Sequence, residues 1–138
     1  RMNRKPSTGV QMSGQSGSMT TTNPHPFNAG DIVLVNFDPI KGSEQAGVIP
    51  ALVISNMTIH RVSKRIVVCP ITRNMEPWPT KVALPPNTKT RGMVLADQVR
   101  SLDANARVLR SIETVPTELV TLVRSFVGRL LELEVRQP

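Results

Sequence analysis

The sequence predicts a mainly β domain, folded as a small, partly closed β-barrel and completed by one C-terminal α-helix. Short apolar runs rich in Val, Ile and Leu recur along residues 31–114, and polar segments with Pro, Gly or Asn separate them, as is typical of strands. No helical pattern alternates with these runs, which disfavours a parallel α/β sheet. The clearest helical periodicity lies near the C-terminal end, so a single helix is expected to cover the sheet.

The first two predicted strands enclose a charged loop. The run Ile32–Phe37 is rich in β-branched residues, and Asp38 and Pro39 end it, because proline cannot donate to a strand ladder. Pro50 opens a second apolar run, Ala51–Ile54. The polar stretch between the runs is about ten residues long, which is more than a tight hairpin needs. Long loops on a rigid sheet often carry function, so this loop is a candidate for the site.

The rest of the chain adds shorter strands and the helix. Residues 57–64 are polar and predict a connection, with His60 as an exposed loop histidine. Pro116 lies where a helix begins, and Glu118 in its first turn favours the helix dipole. The remaining strands are predicted at Arg65–Ile71, Lys81–Leu84, Gly92–Ala96 (which residues 97–102 continue or bend) and Arg107–Glu113. The predicted apolar face of the helix comprises Leu119, Leu122, Val123, Phe126, Val127 and Leu130.

Length and composition predict one domain. The chain has 138 residues; residues 1–28 are rich in Ser, Thr, Gly, Asn and Pro and predict a disordered tail or vector-derived segment, which leaves residues 29–138 as the folded domain. No apolar run approaches the ~20 residues of a membrane span, and no secretory signal is recognisable. The one cysteine, Cys69, lies in an apolar run and is expected to be a buried hydrophobe in a reducing cytoplasm.

The positive charge is concentrated in the middle of the sequence. The net charge is +7, and residues 61–110 hold ten Lys and Arg against three acids. Such a segment predicts a polyanionic partner, either nucleic acid or an acidic protein segment, although a solvated basic surface would look the same. Two histidines and one cysteine are too few for a plausible zinc site. The sequence also lacks a phosphate-binding loop and a dinucleotide fingerprint, so neither a metal nor a cofactor is expected.

Three longer blocks stand in a distinctive order along the chain. They read GDIVLVNFDPIKGSEQAG followed by PALVISN from Gly30 to Asn56, CPIT from Cys69 to Thr72, and GMVLADQVRSLD from Gly92 to Asp103. In this order and spacing they resemble the MazF/PemK family of toxin endoribonucleases. With the C-terminal helix, the resemblance covers about Ala29 to Leu133. It implies an SH3-like barrel, in agreement with the strand pattern.

The resemblance also implies a chemistry and its residues. The family cleaves single-stranded RNA without metal by attack of the substrate 2′-hydroxyl, leaving a 2′,3′-cyclic phosphate and a 5′-hydroxyl. It implies Thr72 as the phosphate-facing hydroxyl and Glu44 and Asp97 as acids. Each also has a structural reading, as a turn hydroxyl or as an acceptor that orders a loop. Asp97 matches the plasmid-borne branch of the family, although that branch has an arginine where Leu95 stands here.

One position departs from the family pattern. Ile49 stands where the family has its chief catalytic arginine, and isoleucine offers neither a hydrogen-bond donor nor a charge. The resemblance therefore implies that this chain is impaired, either by a deliberate inactivating replacement or as a naturally degenerate member. Arg73, next to Thr72, is a weaker candidate to substitute for the missing arginine.

The same resemblance implies the ligands. Family members are homodimers whose groove accepts single-stranded RNA or the acidic C-terminal tail of a cognate antitoxin, and both ligands suit the basic segment. Trp78, between two prolines, is either an exposed stacking platform for a base or a cap on the core. The candidate RNA-binding residues are Lys41, Ser43, Gln45, Arg73, Trp78, Gln98 and Arg100.

Two alternatives stay open from the sequence. Gyrase poisons of the CcdB type share the fold and lack a catalytic site, but they end in a tryptophan-containing tail, whereas this sequence ends Glu134–Pro138 without one. A catalytically dead module that binds RNA or sequesters antitoxin is the other.

Overall fold

The computed structural model describes residues 27–38 and 47–133. Within them, seven strands and three α-helices form one antiparallel sheet and its coverings. The strands are β1 (Asp31–Asn36), β2 (Val48–Val53), β3 (Arg65–Thr72), β4 (Lys81–Ala83), β5 (Met93–Leu95), β6 (Arg100–Asp103) and β7 (Val108–Thr114). The helices are α1 (Met57–Val62), α2 (Ala104–Arg107) and α3 (Thr117–Leu130), and a 3₁₀ turn spans Ala96–Gln98. The predicted mainly β fold with a C-terminal helix is confirmed.

The sheet has the order β4-β5-β3-β2-β1-β7, and β6 pairs with the N-terminal half of β3. β3 is long enough to branch, because Val68 pairs with Arg100 of β6 while Thr72 pairs with Met93 of β5. All these pairings are antiparallel. β3 therefore joins the two parts of the sheet, and its last residue lies at the junction with β5.

Side-chain alternation along the strands creates two apolar clusters on opposite faces of the sheet. The helix-side core packs beneath α3 and contains Ile32, Leu52, Ile54, Cys69, Ile71, Val82, Val94, Ala96, Val115, Leu119, Val120 and Val123. The opposite core contains Phe27, Val33, Val35, Phe37, Ala51, Val53, Ile66, Val68, Leu102 and Ala104. Cys69 is fully buried, as predicted.

The buried face of α3 differs from the predicted one by part of a turn. Leu119, Val120 and Val123 are buried, whereas Leu122 and Leu130 are 45% and 46% exposed, so their assignment to the buried face was wrong. A helix of this composition offers two overlapping apolar stripes, and the angle at which it packs on the sheet selects one. No helix in residues 27–38 and 47–133 is long and apolar enough to cross a membrane.

Two short elements were wrong in the sequence interpretation, and the structure decides a third, for which the sequence left a continued or a bent strand open. The predicted connection at residues 57–64 contains α1, whose first turn is capped by the Asn56 side chain accepting from the Ile59 N–H at 3.1 Å. The strand predicted at Gly92–Ala96 is the shorter β5, and the 3₁₀ turn separates it from β6. Arg107 closes α2 and does not begin β7. Elements this short provide less than two turns of periodicity, so local capping decides them.

His60 is not an exposed loop residue, and that prediction was wrong. It is 4% exposed, and its Nδ1 lies 2.5 Å from the carbonyl oxygen of Phe27. A carbonyl only accepts, so Nδ1 donates, and Nε2 forms a hydrogen bond with the Ser55 hydroxyl at 2.5 Å. Phe27, which the predicted boundary assigned to the N-terminal tail, is 9% exposed and packs in the opposite core. His60 thus ties the beginning of the fold to α1.

Replacing His60 with Ala is expected to lower the free energy of unfolding by about 2–3 kcal/mol. The change removes a buried ring and leaves the Phe27 carbonyl without this donor. Urea unfolding of the two proteins measures the difference. Thr58→Ala is the matched control because Thr58 is exposed on the same helix, and its effect should stay within about 0.5 kcal/mol. Equal losses of stability in the two variants would contradict the role of His60 in holding Phe27 against α1.

Candidate active site

The strand register brings position 49 and Thr72 to the same end of the paired strands β2 and β3. Ala51 of β2 pairs with Pro70 of β3, and this is the last pair that joins the two antiparallel strands. Ile49 lies two residues before Ala51 and Thr72 lies two residues after Pro70, so strand alternation puts both on the face of the opposite core. The position of the family arginine therefore shares a face and an end of the strand pair with the family threonine, although the two are 23 places apart in sequence.

Thr72 is 8% exposed and already has one backbone partner. Its Oγ1 accepts from the Asn74 N–H at 3.1 Å, which closes a turn at the end of β3. That bond uses the hydroxyl as an acceptor, so its hydrogen remains able to donate to a bound group. The structural and the functional readings of Thr72 are therefore compatible.

Ile49 makes apolar contacts only. It pairs with Val35 of β1, is half-buried, and packs against the opposite core. Its neighbour Val48 is 50% exposed at the start of β2. Ile49 and Val48 therefore present hydrocarbon at this point of the sheet, and neither offers a side-chain donor for a phosphate oxygen.

Arg100 lies on the same face as Thr72. It pairs with Val68, and its guanidinium lies 5.4 Å from the centre of the Phe37 ring. Such a cation–π contact contributes about 0.5–1 kcal/mol at partly exposed sites and restrains the side chain. Gln98, at the end of the 3₁₀ turn, is half-buried two residues earlier. The contact with Phe37 places Arg100 at the edge of the opposite core.

Asp97 lies nearer the other face. It is exposed, and its charge adds to the main cause, burial, in raising the pKa of the Cys69 thiol to about 12. The Cys69 side chain packs in the helix-side core, and β3 alternation puts it opposite to Thr72. These observations associate Asp97 with Cys69, and its catalytic role stays a prediction.

Lys41, Ser43, Glu44 and Gln45 lie outside the described residues, but both ends of their loop are anchored. The Phe37 N–H donates to the Gly47 carbonyl at 2.9 Å, and the Gly47 N–H donates to Asp38 Oδ1 at 3.0 Å. The guanidinium of Arg107 donates to the carbonyls of Asn36 and Asp38. Sequence reasoning missed this role of Arg107, because its partners lie about seventy positions away.

The loop between β3 and β4 carries two further predicted residues. Arg73 is exposed directly after Thr72, and Trp78 is 64% exposed. The interpretation of Trp78 as a cap on the core was therefore wrong; its ring is exposed, and its role as a stacking platform for a base stays a prediction. The Lys81 ammonium donates to the carbonyls of Asn74 and Glu76 at 3.1 and 2.9 Å, so the loop has a defined course.

Arg73 also lines a cleft that the sequence did not predict. The cleft has a volume of about 520 Å³ and lies between the start of this loop and the β4–β5 hairpin, with Arg91 on its other side. Gly92 forms part of its wall beside Thr72: a Cβ at Gly92 would lie 2.3 Å from the Thr72 carbonyl oxygen. We name this feature the Arg73–Arg91 cleft. Only the pairing of β3 with β5 brings its two sides together, so no local sequence signal marks it.

Glu113 of β7 fixes the hairpin that forms the cleft. Its carboxylate accepts from the Lys89 N–H at 3.0 Å, and from the Thr90 N–H and hydroxyl at 2.7 and 2.6 Å. Partial burial alone would raise the pKa of this carboxyl. The hydrogen bonds from Thr90 and Lys89 and the Lys89 charge outweigh burial, so the pKa is lowered overall from 4.5. The carboxylate form is thus the one that holds the hairpin.

Glu113→Gln is expected to remove a pH-dependent part of the stability. Because the folded pKa lies below the ordinary 4.5, the carboxylate stabilises the fold above about pH 5, and this is lost as pH falls through the folded pKa. At neutral pH the variant should unfold about 1 kcal/mol more easily, a modest value because the group is partly exposed. Urea unfolding at pH 7 and pH 3 measures the gap, which is the difference in the free energy of unfolding between the unsubstituted chain and the variant. This gap should be smaller at pH 3. Glu76→Gln, in an exposed loop, serves as control, and a gap independent of pH would contradict the assignment.

No group of three or more His, Cys, Asp or Glu side chains in residues 27–38 and 47–133 is arranged to hold a metal ion.

Comparison with known proteins decides the family. Residues 28–131 match the model of the PemK-like, MazF-like toxins of type II toxin–antitoxin systems. The chain belongs to this family. It is similar to the endoribonuclease toxin MazF of Escherichia coli K12, with 35% identity over 102 residues, covering 74% of this chain and 91% of that protein. It is also similar to the endoribonuclease toxin ChpB of the same strain, with 37% identity over 100 residues, covering 68% and 84% of the two chains.

Solved structures agree with this membership. The crystal structure of MazF from Deinococcus radiodurans superposes with a TM-score of 0.74 at 36% identity, covering 79% of this chain and 99% of that one. A MazE–MazF crystal structure from the same organism superposes with a TM-score of 0.68 at 32% identity, covering 80% and 99%. The MazF-like fold is therefore shared over nearly the whole length of those toxins, and one of them was crystallised with its antitoxin.

Proposed function

We propose that this chain is the toxin of a type II toxin–antitoxin pair and derives from metal-independent, sequence-specific endoribonucleases that cleave single-stranded mRNA. We further propose that its own cleavage is impaired because Ile49 occupies the position of the catalytic arginine. The observation that carries the proposal is that Ile49 and Thr72 lie on one face, at the same end of the paired strands β2 and β3, in a MazF-like sheet. The relatives named as endoribonucleases support the reaction class.

The proposed reaction is attack of an RNA 2′-hydroxyl on the adjacent phosphorus. The bond to the 5′-oxygen of the next nucleotide breaks, which leaves a 2′,3′-cyclic phosphate and a 5′-hydroxyl. The hydroxyl of Thr72 donates to a phosphate oxygen as negative charge grows there, and Glu44 and Asp97 are the candidate groups for proton transfer. Ile49 cannot supply the second donor, and the loss of one such donor typically lowers the rate by about 10²–10³.

RNA binding in this proposal uses residues from several elements. Arg73 and Arg100 contact phosphates, Trp78 stacks on a base, and Gln98 hydrogen bonds to a base edge. The loop residues Lys41, Ser43 and Gln45 complete the set. The exposed ring of Trp78 and the restrained guanidinium of Arg100 support these roles. The isoleucine at position 49 leaves all of these binding groups in place. This chain should therefore still bind RNA although it cleaves RNA weakly.

The proposed assembly is a homodimer whose groove accepts RNA or the acidic tail of a cognate antitoxin. The MazE–MazF structures of similar toxins support an antitoxin partner. Both ligands are flexible polyanions, in keeping with the ten basic residues between positions 61 and 110.

Mapping the ends of cleaved RNA tests the proposal. A long single-stranded RNA is incubated with this chain or with its Ile49→Arg version in the presence of a chelator. Cuts at a short motif with cyclic phosphate and 5′-hydroxyl ends, made by the arginine version, are the expected result. If neither protein cuts or binds RNA, the ribonuclease proposal fails, and specific capture of gyrase would redirect it to a protein-binding toxin.

A further inference from the structure

We propose that a pocket between the start of β4 and the last turns of α3 binds a small organic carboxylate, a compact apolar molecule with one carboxylate group. We name this feature the Thr80–Arg129 pocket. Its volume of about 250 Å³ is below the range typical of drug-sized ligands, so the occupant is a smaller molecule. The inference goes beyond the proposed function, because the ligand is neither RNA nor an antitoxin. The lining residues are Pro79, Thr80, Phe126, Arg129 and Leu130.

The cation of the pocket is Arg129, in the last turn of α3. Its guanidinium lies over the ring of Phe126, three residues earlier, at 4.7 Å from the ring centre. Within residues 27–38 and 47–133, no carboxylate forms an ion pair with this guanidinium. A contact with the ring leaves the N–H donors of Arg129 able to bind oxygen atoms. The pocket therefore presents a restrained positive charge, which favours an anionic ligand.

The neutral polar group of the pocket is the Thr80 hydroxyl. Its oxygen is buried and has no hydrogen-bond partner among the residues that the structure describes, although Thr80 as a whole is only half-buried. Buried hydroxyls without a partner are uncommon, because they give up their hydrogen bonds to water. One oxygen of a carboxylate can accept from Thr80 while the other accepts from Arg129. A single carboxylate would thus pair with both polar side chains of the pocket.

The rest of the lining is apolar, which is why we infer an organic carboxylate and not a bare inorganic anion. Pro79, the Phe126 ring and the Leu130 side chain provide this surface. Leu130 is 46% exposed, so covering it with the hydrocarbon body of a ligand is favourable. Inorganic phosphate would bring charge and leave that surface uncovered.

A ligand in this pocket should also be felt at the candidate active site. The Thr80 carbonyl accepts from the Ala96 N–H at 3.0 Å, and the 3₁₀ turn that begins at Ala96 packs against α3. This turn carries Asp97 and Gln98, two of the candidate site residues. A ligand that bridges Thr80 and Arg129 holds together the two elements that support the turn. We therefore expect the ligand to restrain the turn.

Titration of benzoate into the isotope-labelled full chain, followed by NMR without RNA, tests the pocket. The Leu130 methyl signals should shift along a saturating curve with a Kd of about 1–10 mM, while those of Leu102 in the opposite core stay in place. The backbone amide signals of Asp97 and Gln98 should shift with the same midpoint. Benzamide, a neutral molecule of the same shape, should bind at least about tenfold more weakly.

Two outcomes of this titration would contradict the inference. Equal binding of benzoate and benzamide would overturn the anion site. Saturation by benzoate that leaves the amide signals of Asp97 and Gln98 in place would overturn the link between the pocket and the 3₁₀ turn. Because the titration uses no RNA, the pocket and the proposed function can fail separately.

Substitutions of the two polar residues give an independent test. Arg129→Gln should weaken benzoate binding about tenfold or more, whereas Arg110→Gln, a charge-matched change at an exposed residue of β7, should alter the Kd less than twofold. Thr80→Val keeps the shape of the side chain and should weaken binding about three- to tenfold. It should also raise the urea midpoint of unfolding, because an unpartnered buried hydroxyl is removed. Equal Kd values for Arg129→Gln and Arg110→Gln would overturn the site, and a lower urea midpoint for Thr80→Val would overturn the role of its hydroxyl.

Discussion

Ile49→Arg is expected to raise RNA cleavage by at least about 10²–10³-fold over this chain. Ile49 and Thr72 lie on one face of the sheet, each two residues beyond the last β2–β3 pair, so we expect a guanidinium at position 49 to reach the phosphate that the Thr72 hydroxyl contacts. A planar, permanently charged group can stabilise two oxygens of the developing phosphorane at once. Initial rates on a defined single-stranded RNA, at substrate concentrations below and above KM, measure the gain.

Two further substitutions at the same position separate charge from geometry. Ile49→Lys supplies a charge without the planar fork and should give a smaller gain, whereas Ile49→Met keeps the apolar character and should give none. Because Ile49 is half-buried against Val35, we expect the arginine version to unfold about 1 kcal/mol more easily, with its aliphatic stem still covering the core. Adding Thr72→Val to the arginine version should abolish the gain. Equal cleavage by these four variants and the unsubstituted chain would move catalysis to other residues.

Long apolar segments made much of the fold predictable. The predicted cores of β1, β2, β3 and β7 lie within the observed strands or overlap them, because buried strands need a continuous run of apolar or β-branched residues. α3 followed from its periodicity. The short α1 and α2, of six and four residues, depend on the caps Asn56 and Asp103, which look like ordinary loop residues in a sequence.

The features that the sequence did not predict depend on contacts between residues far apart in the chain. The buried ring of His60 donates a hydrogen bond to the Phe27 carbonyl, 33 positions earlier, and no sequence pattern around residue 60 indicates that partner. The family resemblance singled out Ile49 and Thr72, but only the pairing of β2 with β3 brings them to the same end of the sheet. The Arg73–Arg91 cleft depends likewise on Glu113, which holds a hairpin more than twenty positions away.

Gly92→Ala is expected to be the most damaging single substitution at the site. Gly92 has φ of +140°, and an added Cβ would lie 2.3 Å from the Thr72 carbonyl oxygen and 2.9 Å from Ile71 Cγ2. The first contact is with backbone inside β3, which cannot rotate away as a side chain can. We expect the free energy of unfolding to fall by about 3 kcal/mol or more, measured by urea unfolding.

The same substitution should also impair the site in molecules that remain folded. The clash is relieved only if β5 moves away from β3, where Thr72 pairs with Met93. A shift of about 1 Å in a reacting group can lower a rate by about 100-fold, so Gly92→Ala in the Ile49→Arg background should lose cleavage beyond its loss of folded protein. Rates are therefore compared at equal concentrations of folded protein, well below the unfolding temperature of each variant.

Substitutions at two other glycines separate backbone strain from steric clash as causes of the stability loss in Gly92→Ala. Gly47 also has a positive φ, +81°, but a Cβ there meets nothing within 4 Å, so Gly47→Ala carries the backbone strain alone, about 1–2 kcal/mol. Gly128 lies inside α3, likewise with nothing within 4 Å, and its change to Ala should stabilise the protein by about 0.5–1 kcal/mol. If Gly92→Ala were no worse than Gly47→Ala, the close packing of β5 on Thr72 would be contradicted. We expect Gly92→Ala to lower the free energy of unfolding more than Gly47→Ala does. That result would show that the glycine at position 92 is what allows the cleft wall to lie against β3.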